Sequence, residues 1–190
     1  VVLGVVAATA IAVTVYANDS ACSVCDETLN HLGVAPGLDG WYRFEGSEYL
    51  LAPGARNYLS WEEASSYCGA HGASLVSIGS GNENTVARCL AKSAPELWIG
   101  LSRQRVGGTP GADEQWMWSD GTDALWGPEV SGTYSNWVLG GPGGSPGEEG
   151  AVSPHGIASA CASMVGGGWD NRIIPCWVTR PFMCERAVAN

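Results

Sequence analysis

The side chains that could perform nucleophilic or acid–base chemistry are few, and their sequence context is unfavourable. Residues 143–147 read Gly-Gly-Ser-Pro-Gly and fit the G-x-S-x-G pattern of hydrolases, in which a strand precedes the serine and a helix follows it. Pro146 and the glycine after it oppose that helix. The three histidines, His31, His71 and His155, have no carboxylate at a spacing that suggests a triad. We therefore expect no catalytic residues and no enzymatic activity.

Cysteines form the second group of reactive side chains. The seven cysteines are at positions 22, 25, 68, 89, 161, 176 and 184. Zinc sites need two close pairs of ligands, and only Cys22 and Cys25 are closely spaced, so the set favours disulfides in an oxidising compartment. Cys22-x-x-Cys25 also fits a redox motif, although no thioredoxin-like strand–helix pattern surrounds it. The alternatives are pairing to Cys89 or a local bridge.

The charge of the chain argues against nucleic acid as a partner. The 190 residues carry a formal net charge of −10, and the nine basic residues include a single lysine, Lys92. Because phosphate backbones are bound by clustered lysine and arginine, an acidic chain without a basic cluster lacks the required surface. Docking onto anionic lipid headgroups is disfavoured for the same reason.

Residues 1–17 are apolar, and the first charged residue is Asp19. As a helix they would extend about 25 Å, slightly less than the ~30 Å hydrocarbon core of a bilayer. We predict a transmembrane helix (or uncleaved signal anchor) over residues 1–17, in contact with the lipid bilayer. The alternative is the core of a signal peptide that ends in the small-residue cleavage sequence Val15-Tyr16-Ala17.

Small residues recur on one face of this predicted helix. Gly4, Ala8 and Ala12 follow one another at intervals of four residues, which allows a second helix to approach closely within lipid. We expect this stripe to pack against the helix of a membrane protein. The alternative is that small residues are common in membrane helices and acquired this spacing by chance.

The remaining chain predicts two helices followed by short strands. Residues 18–40 are predicted as a connector, and residues 41–51 are predicted as a strand. Capping boxes at Ser60–Glu63 and Ser80–Glu83 predict two helix starts, and His71 is expected at the end of the first helix. The buried faces should contain Trp61, Ala64 and Cys68 in the first helix, and Val86, Cys89 and Leu90 in the second. Short strands are predicted at 73–78, 97–101, 116–118, 161–164 and 181–185, which together indicate an α+β fold.

The segment Trp98-Ile99-Gly100-Leu101 resembles the WIGL signature of the C-type lectin-like domain family. The other landmarks of the family occur in the expected order: a first-helix pattern, a W-x-W-x-D-G strand and turn, a Y-x-N-W segment and a closing cysteine pattern. In this chain they are Trp61, Ala64 and Cys68; Trp116, Trp118, Asp120 and Gly121; Tyr134, Asn136 and Trp137; and Cys161, Trp169, Cys176, Phe182, Cys184 and Glu185. The resemblance covers residues 41–186 and leaves a tail at 187–190. It implies an α+β C-type lectin-like fold of two helices, short antiparallel strands and a long glycine-rich loop, preceded here by the transmembrane helix.

The resemblance also implies two disulfides, Cys68–Cys184 and Cys161–Cys176. It leaves Cys22, Cys25 and Cys89 without assigned partners. Sugar-binding members of the family hold a calcium ion in the long loop, through oxygen side chains on each side of a proline, a further glutamate, and an Asn-Asp pair after a tryptophan. Calcium requires six to eight oxygen ligands, several of them anionic.

This chain departs from that ligand pattern. The tripeptide around the proline reads Gly141-Pro142-Gly143, so both flanking side-chain oxygens are missing, and no glutamate immediately precedes Cys161. If calcium binds, its ligands would be Glu148, Glu149, Asp170 and Asn171. We instead expect Asp170 and Asn171 to cap a turn by bonding nearby amides. We favour no metal and no cofactor, and we do not expect sugar binding.

A glycine-rich segment of this length is costly to order and is usually either functional or disordered. We predict that the loop over residues 138–160 binds a protein partner. The candidate contacts are Leu125, Trp126, Val138, Leu139, Pro142 and His155. The alternative is that the apolar members of this set fold back onto the domain itself.

Together these patterns predict a single-pass membrane protein whose lectin-like domain faces the extracellular or lumenal, non-cytosolic side. The expected function is that of a non-catalytic protein-binding or structural module, an accessory subunit of a larger membrane complex joined through helix 1–17 and the 138–160 loop. The alternative is a calcium-dependent carbohydrate-binding lectin. A third candidate, a binder of ice or crystal surfaces, is suggested by fold analogy alone.

Overall fold

The fold was obtained as a computed structural model and is an α+β arrangement of three helices and two antiparallel sheets over the part of the chain that is described here. The described residues are 23–52, 58–92, 94, 96–105, 114–122, 124, 134–138, 161–171 and 175–188. The helices are α1 at 23–31, α2 at Trp61–Ala70 and α3 at Gly81–Ala91. The α+β class with antiparallel strands is therefore confirmed, whereas the transmembrane helix predicted before it falls on residues that are not described.

Both predicted helix starts are confirmed, although they are capped differently. Ser60 caps α2 with a complete capping box, because its hydroxyl accepts from Glu63 N and the Glu63 carboxylate accepts from Ser60 N. Ser80 caps α3 through its hydroxyl, which accepts from Glu83 N at 3.1 Å. The Glu83 carboxylate accepts instead from Gly79 N at 2.7 Å. His71 is the C-cap residue of α2, as expected.

The segment predicted as a connector contains ordered secondary structure. Helix α1 and strand β1, Ala35–Pro36, lie between residues 23 and 40. A disulfide joins Cys25 of α1 to Cys89 of α3, so Cys25 forms neither a local bridge with Cys22 nor a redox pair with it. Cys22 itself lies outside the described residues. The helix is therefore covalently attached to the face of α3 that packs into the core.

The first sheet has the strand order β1-β2-β3-β9-β4, and every neighbouring pair is antiparallel. Its further strands are β2 at Tyr42–Phe44, β3 at Ser47–Leu51, β4 at Ser74–Leu75 and β9 at Met183–Ala187. The prediction of one strand over 41–51 is wrong. Glu45 and Gly46 have φ values of 47° and 89°, which make the two-residue turn of a hairpin between β2 and β3.

The second sheet has the strand order β6-β5-β7-β8 and is also antiparallel. Its strands are β5 at Glu96–Arg105, β6 at Glu114–Trp118, β7 at Cys161–Val165 and β8 at Gly168–Asp170. The pairing of β5 with β7 shifts register between Trp98 and Ser102. This irregularity lies within the WIGL-like segment, where β5 also contacts the first sheet.

Strand β5 divides the core because its side chains alternate between two buried clusters. Leu97, Ile99 and Leu101 lie in one cluster, whereas Trp98 lies in the other. Gly100 has no room for a side chain, since a Cβ there would lie 2.5 Å from Leu75 O. Its N–H donates to Val76 O at 2.8 Å, so the backbones of β5 and of residues 75–76 touch directly.

Near this contact, two tryptophans donate hydrogen bonds from their indole N–H groups to backbone carbonyl oxygens. Trp98 Nε1 donates to Leu59 O at 3.1 Å, and Trp61 Nε1 donates to Ile99 O at 2.8 Å. A buried indole N–H without an acceptor would cost free energy, so these two bonds fix the orientation of the indole rings. They attach the start of α2 to β5.

Both disulfides implied by the resemblance are present. Cys68 of α2 bonds Cys184 of β9 across 116 residues, and Cys161 bonds Cys176 across 15 residues. The chain-entropy relation gives about 5 kcal/mol for a loop of the first length and about 3 kcal/mol for the second. Three disulfides in one domain are typical of an oxidising compartment.

Residues 1–17, predicted as a transmembrane helix with the packing positions Gly4, Ala8 and Ala12, lie outside the described residues. Over the ranges that are described, no helix combines the length and apolarity needed to cross a bilayer.

The close approach of the two backbones at Gly100 predicts that adding a side chain at this position destabilises the fold. Gly100→Ala is expected to lower the free energy of unfolding by about 1–3 kcal/mol, because the new methyl group would overlap Leu75 O and crowd Val76 O. Urea unfolding of the purified protein measures this difference. The matched control is Gly69→Ala in α2, where a Cβ meets nothing within 4 Å. The control should be neutral or stabilising by up to about 1 kcal/mol, and equal losses in both variants would contradict this account.

Candidate functional site

Three aromatic rings pack around Trp169, at the point where the long glycine-rich segment leaves the described fold, and a fourth ring packs on one of them. Trp169 lies on β8, is 2% exposed, and makes edge-to-face contacts with Trp118, Tyr134 and Trp137 at centroid distances of 5.1, 5.6 and 5.9 Å. Trp116 adds an edge contact with Trp137 at 5.1 Å. Edge-to-face pairs at these distances are favourable, so the cluster holds residues 134–137 against the second sheet.

A buried hydrogen-bond network fixes the orientation of Trp169. Its indole Nε1 donates to Asn84 Oδ1 at 2.9 Å, and Asn84 Nδ2 donates to Gly167 O at 2.8 Å. Asn136 Nδ2 donates to the same carbonyl at 2.6 Å, and Trp169 N donates to Asn136 O at 2.8 Å. These polar groups are paired with one another, which is the condition for burying them. Helix α3 therefore positions the Trp169 ring through Asn84.

A half-open cleft of about 300 Å³ lies beside this cluster. Its residues come from the chain after β4, the start of α3, the end of β6 and the turn after it, residues 134–137, and strands β8 and β9. They are Ser77, Ile78, Gly79, Glu83, Trp118, Asp120, Thr122, Ala124, Tyr134, Ser135, Trp137, Trp169 and Glu185. The volume is at the lower end of the range for small-molecule sites.

Three carboxylates line the cleft, and each accepts hydrogen bonds from nearby groups. Glu185 Oε2 accepts from Ser77 N at 2.9 Å, and Glu83 Oε1 accepts from the Tyr49 hydroxyl at 3.3 Å. Asp120 Oδ1 accepts from the amide and the hydroxyl of Thr122 at 2.8 and 2.7 Å. None of the described residues that line the cleft is basic.

This environment changes the acidity of the groups that it buries. Burial raises the pKa of Glu185, the negative charges of Glu83 and Asp120 raise it further, and the hydrogen bonds from Ser77 and Ser47 oppose the change. Burial also raises the pKa of Tyr49, and the nearby Glu185 and Glu83 charges add to that effect. The described lining of the cleft thus contains three acidic side chains and no basic one.

A carboxylate on the opposite side of β3 shows the contrasting case. Glu48 accepts from Arg43 Nε at 2.8 Å and from Arg186 Nε at 2.9 Å, and these hydrogen bonds lower its pKa. The Arg186 guanidinium also lies 3.9 Å above the Trp41 ring. Here the charges are paired, so the group contributes to the fold rather than to a site.

The predicted loop contacts are only partly within the described residues. Val138 is half-buried and lies so close to Gly168 that a Cβ on that glycine would meet Val138 Cγ1 at 2.6 Å. Thus the one described member of the set packs against the domain's own β8, as the fold-back alternative expects. The other members, Leu125, Trp126, Leu139, Pro142 and His155, lie outside the described residues.

The predicted oxygen ligands for calcium are likewise divided. Asp170 is the last residue of β8 and pairs with Ser163, and Asn171 follows it and is 3% exposed. Glu148 and Glu149, like the G-x-S-x-G segment at 143–147, lie outside the described residues. Among the residues that are described, no three acidic, histidine or cysteine side chains form a metal-ligand cluster. His31 and His71 are exposed at the ends of α1 and α2.

Sequence reasoning identified the aromatic residues as landmarks but missed the cleft that they border. The available signals were the acidic residue directly after Cys184 and the acidic residue in the first turn of α3. That the residue after Cys184 lies in this cleft was not predictable, because Glu185 and its hydrogen-bond donor Ser77 are 108 residues apart in the sequence.

Comparison with known proteins connects this arrangement to a family. The model of the lectin C-type domain matches residues 57–186. Asialoglycoprotein receptor 2 of Mus musculus is 29% identical over 147 residues, which cover 77% of this chain and 40% of the receptor. C-type lectin domain family 17, member A, of Homo sapiens is 30% identical over 151 residues, which cover 78% of this chain and 32% of that protein. The chain therefore spans less than half the length of these relatives.

Solved structures share the fold. Herring type II antifreeze protein matches with a TM-score of 0.58 and 23% identity over 80% of this chain and 100% of that chain. The carbohydrate-recognition domain of mouse scavenger receptor C-type lectin matches with a TM-score of 0.56 and 21% identity over 81% of this chain and 98% of that domain. At this level of identity the matches establish the architecture alone.

We expect Glu48 and Glu185 to make the stability of the fold depend on pH in opposite directions. The pKa of Glu48 is lower in the folded than in the unfolded chain, so its contribution is present above the unfolded pKa and is lost as pH falls through the folded pKa. The pKa of Glu185 is higher in the folded chain, so its ionisation reduces stability as pH rises from the unfolded pKa through the folded pKa. Glu48→Gln should therefore be less stable than the parent protein at neutral pH, with a smaller loss on acidification. Glu185→Gln should gain stability relative to the parent as pH rises.

Urea titrations from about pH 3 to pH 8 measure both effects, since the range spans the ordinary carboxyl pKa. Changes of the same sign in the two variants would show that the burial of Glu185 does not control its ionisation.

Proposed function

The chain belongs to the C-type lectin domain family, and we propose that it is a non-catalytic, membrane-anchored member that binds another protein rather than a sugar. In this proposal the domain is a protein-binding or structural module of a larger membrane complex, in which it acts as an accessory subunit. Residues 1–17 anchor it in the bilayer, and the 138–160 loop contacts the partner.

The observation that carries this proposal is the tripeptide Gly141-Pro142-Gly143. Neither glycine has a side-chain oxygen, so a calcium ion at this position loses two of the ligands that sugar-binding members use. Because calcium needs six to eight oxygens, the candidates that remain, Glu148, Glu149, Asp170 and Asn171, are fewer than a full set of side-chain ligands. Recognition by shape and apolar contact is then the more favourable mode for the segment.

The anchoring of the loop supports the same proposal. Trp137 packs on Trp116 and Trp169 before the loop, and Cys161 is bonded to Cys176 after it. Loops that bind partners are commonly carried on a rigid scaffold of this kind. The apolar residues Leu125, Trp126 and Leu139 then supply the anchors of an interface.

The membrane location is supported by the apolar run over residues 1–17 and by the three disulfides. Disulfides persist in extracellular and lumenal spaces, so the domain would face the non-cytosolic side. The stripe Gly4, Ala8 and Ala12 gives the helix a face on which the transmembrane helix of a partner could pack.

The second candidate is a calcium-dependent lectin. The observation in its favour is that Asp170 and Asn171 directly follow Trp169, as oxygen ligands do in sugar-binding members. Asialoglycoprotein receptor 2, a relative whose name refers to a glycoprotein, also carries this domain.

Purification of the full chain in mild detergent tests the protein-binding proposal. A stoichiometric partner should co-purify, and Trp126→Ser should release it because an aromatic anchor typically contributes about 2 kcal/mol or more to an interface. The matched control is Trp177→Ser, since Trp177 lies outside the loop and is 71% exposed. A chain that elutes alone with helix 1–17 intact, or a partner lost only from Trp177→Ser, would contradict the proposal.

Calcium provides an independent test of the second candidate. Under the favoured proposal, melting of the protein is the same with calcium and with chelator. A bound ligand at one hundred times its dissociation constant would add about 2.7 kcal/mol of stability. If calcium raises the melting temperature and Asp170→Asn abolishes that rise, the lectin candidate is correct and the favoured proposal is wrong.

A further inference from the structure

A second pocket, of about 280 Å³, lies where the end of α3 meets the turn between β7 and β8. Arg88 and Lys92 line it, and both residues are exposed. Its other lining residues are alanine, glycine, leucine and methionine, so the described lining contains two basic residues and no acidic one. The ion pairs of the described residues involve Glu48 and Glu96 and neither of these two basic side chains. In a chain with a formal net charge of −10, the pocket is a local concentration of positive charge.

The side chain of Arg88 is held in place by the turn between β7 and β8. Gly167 has a φ of 99°, and a Cβ on it would lie 2.7 Å from Cδ and 3.7 Å from Nε of Arg88. The arginine stem therefore lies directly on the glycine. The Gly167 carbonyl accepts hydrogen bonds from Asn84 and Asn136, which fix the turn. An arginine packed on a fixed turn loses less conformational freedom when it binds a ligand.

Lys92 occupies a backbone position that favours glycine. Ala94 N donates to Ala91 O at 3.0 Å, which closes a turn at the end of α3, and Lys92 within it has φ 52° and ψ −112°. These angles are close to those of the first central residue of a type II′ turn, where glycine is preferred because it has no Cβ. The only lysine of the chain is thus placed where it reduces stability. Strained residues are concentrated at functional sites, and this one lines the pocket.

The end of α3 does not cancel the charge of the pocket. Free carbonyls at a helix C-terminus carry partial negative charge, which would repel an anion. Here Cys89 O accepts from Lys92 N at 3.2 Å and Ala91 O accepts from Ala94 N, so two of these carbonyls are occupied. Repulsion from more distant acidic residues is screened beyond about 8 Å at physiological ionic strength. The two cations therefore stay available to an anionic ligand.

A phosphate ester matches this pair of cations better than a carboxylate does. A phosphate monoester carries a charge of about −1.5 to −2 at neutral pH and has three oxygens that accept strong hydrogen bonds. A guanidinium group can donate two parallel hydrogen bonds to such a group, and a lysine ammonium adds a point charge. A carboxylate has a single charge and would leave one of the two cations unpaired.

We propose that this pocket binds a phosphate ester group, with Arg88 donating paired hydrogen bonds to its oxygens and Lys92 supplying the second positive charge. The ester is either a soluble phosphate ester or the headgroup of a phospholipid. Both sources present the same group to the two side chains.

The lipid source rests on the proposed function, in which residues 1–17 lie in the bilayer. Cys25 is bonded to Cys89, the residue directly after Arg88, with a Cα–Cα distance of 5.1 Å. Cys25 also lies eight residues after the apolar segment, and eight residues extend at most about 28 Å. The disulfide therefore keeps the end of α3 close to the proposed anchor.

The test uses the full chain in phosphatidylcholine nanodiscs, titrated with sn-glycerol 3-phosphate in a calorimeter. Phosphatidylcholine is a suitable background because its phosphate is a diester already paired with its own trimethylammonium group. Saturable binding at or below millimolar probe is expected. The control ligand is glycerate, a carboxylate of similar size, which should bind about threefold more weakly because it loses one charge pair.

Variants then assign the binding to the pocket. Arg88→Gln should weaken binding of glycerol 3-phosphate about tenfold, because paired charge-assisted hydrogen bonds are lost. Arg103→Gln is the matched control, since Arg103 lies over Trp116 on β5, and it should leave the affinity unchanged. Equal weakening by the two changes would mean that only the net charge of the chain matters, and would overturn the inference.

Lys92→Gly separates the binding role of the lysine from a structural one. Glycine suits the backbone angles of this position, so the melting temperature should rise by about 2–4 °C. The same variant should bind glycerol 3-phosphate about threefold more weakly. A higher melting temperature with unchanged affinity would show that the lysine does not contact the ligand.

A lipid arm identifies the source of the phosphate. Replacing about one-fifth of the phosphatidylcholine with phosphatidic acid should block the soluble probe if the pocket reaches a headgroup, whereas oleic acid at the same fraction should not. An unchanged titration in phosphatidic acid assigns the pocket to a soluble ester. Absence of binding to both the soluble probe and phosphatidic acid would overturn the inference. Failure of the proposed function is distinguishable, because a chain that co-purifies no protein partner can still be titrated.

Discussion

The direct backbone contact between β5 and the chain at residues 75–76 is the constraint on which the rest of the structure depends. Gly100 N donates to Val76 O at 2.8 Å, and Ser119 Oγ donates to Gly100 O at 2.9 Å. This contact joins the two sheets at a position where even a methyl group would overlap a carbonyl oxygen. Residues 77–79 leave one side of the contact and residues 119–122 leave the other. The backbone contact at Gly100 therefore fixes the positions of these two segments, which form the two polar walls of the cleft.

Backbone and hydroxyl donors stabilise the carboxylates of the cleft, whose described lining contains no basic residue. Glu185 is served by the N–H of Ser77, and Glu83 by the N–H of Gly79 and the hydroxyl of Tyr49. Such bonds favour the charged form and offset part of the cost of burying it. The contrast with Glu48, which is paired to two arginines, shows that the fold uses its few basic residues elsewhere.

The aromatic cluster connects this cleft to the glycine-rich loop. Trp169 contacts Trp118 on the cleft side and Trp137 at the start of the loop, and Asn84 holds its indole from α3. A ligand that displaced one of these rings would act on the anchor of the loop as well. Trp137, the last aromatic residue before the loop, therefore belongs to the same packed cluster as the wall of the cleft.

Local patterns in the sequence determined most of the elements. The Ser60–Glu63 capping box begins α2, Ser80 begins α3, and the short apolar run of residues 97–101 lies in β5, because each signal depends on neighbours within about four residues. The hairpin turn at Glu45-Gly46 was not predicted, because residues 41–51 were interpreted as a single strand. The partner of Cys25 and the meeting of Ser77, Glu83, Asp120 and Glu185 were decided only by the tertiary structure. Their burial, their hydrogen bonds and the direction of the Glu185 pKa shift arise from groups that are distant in the sequence, such as Ser77 and Glu185, which are 108 residues apart.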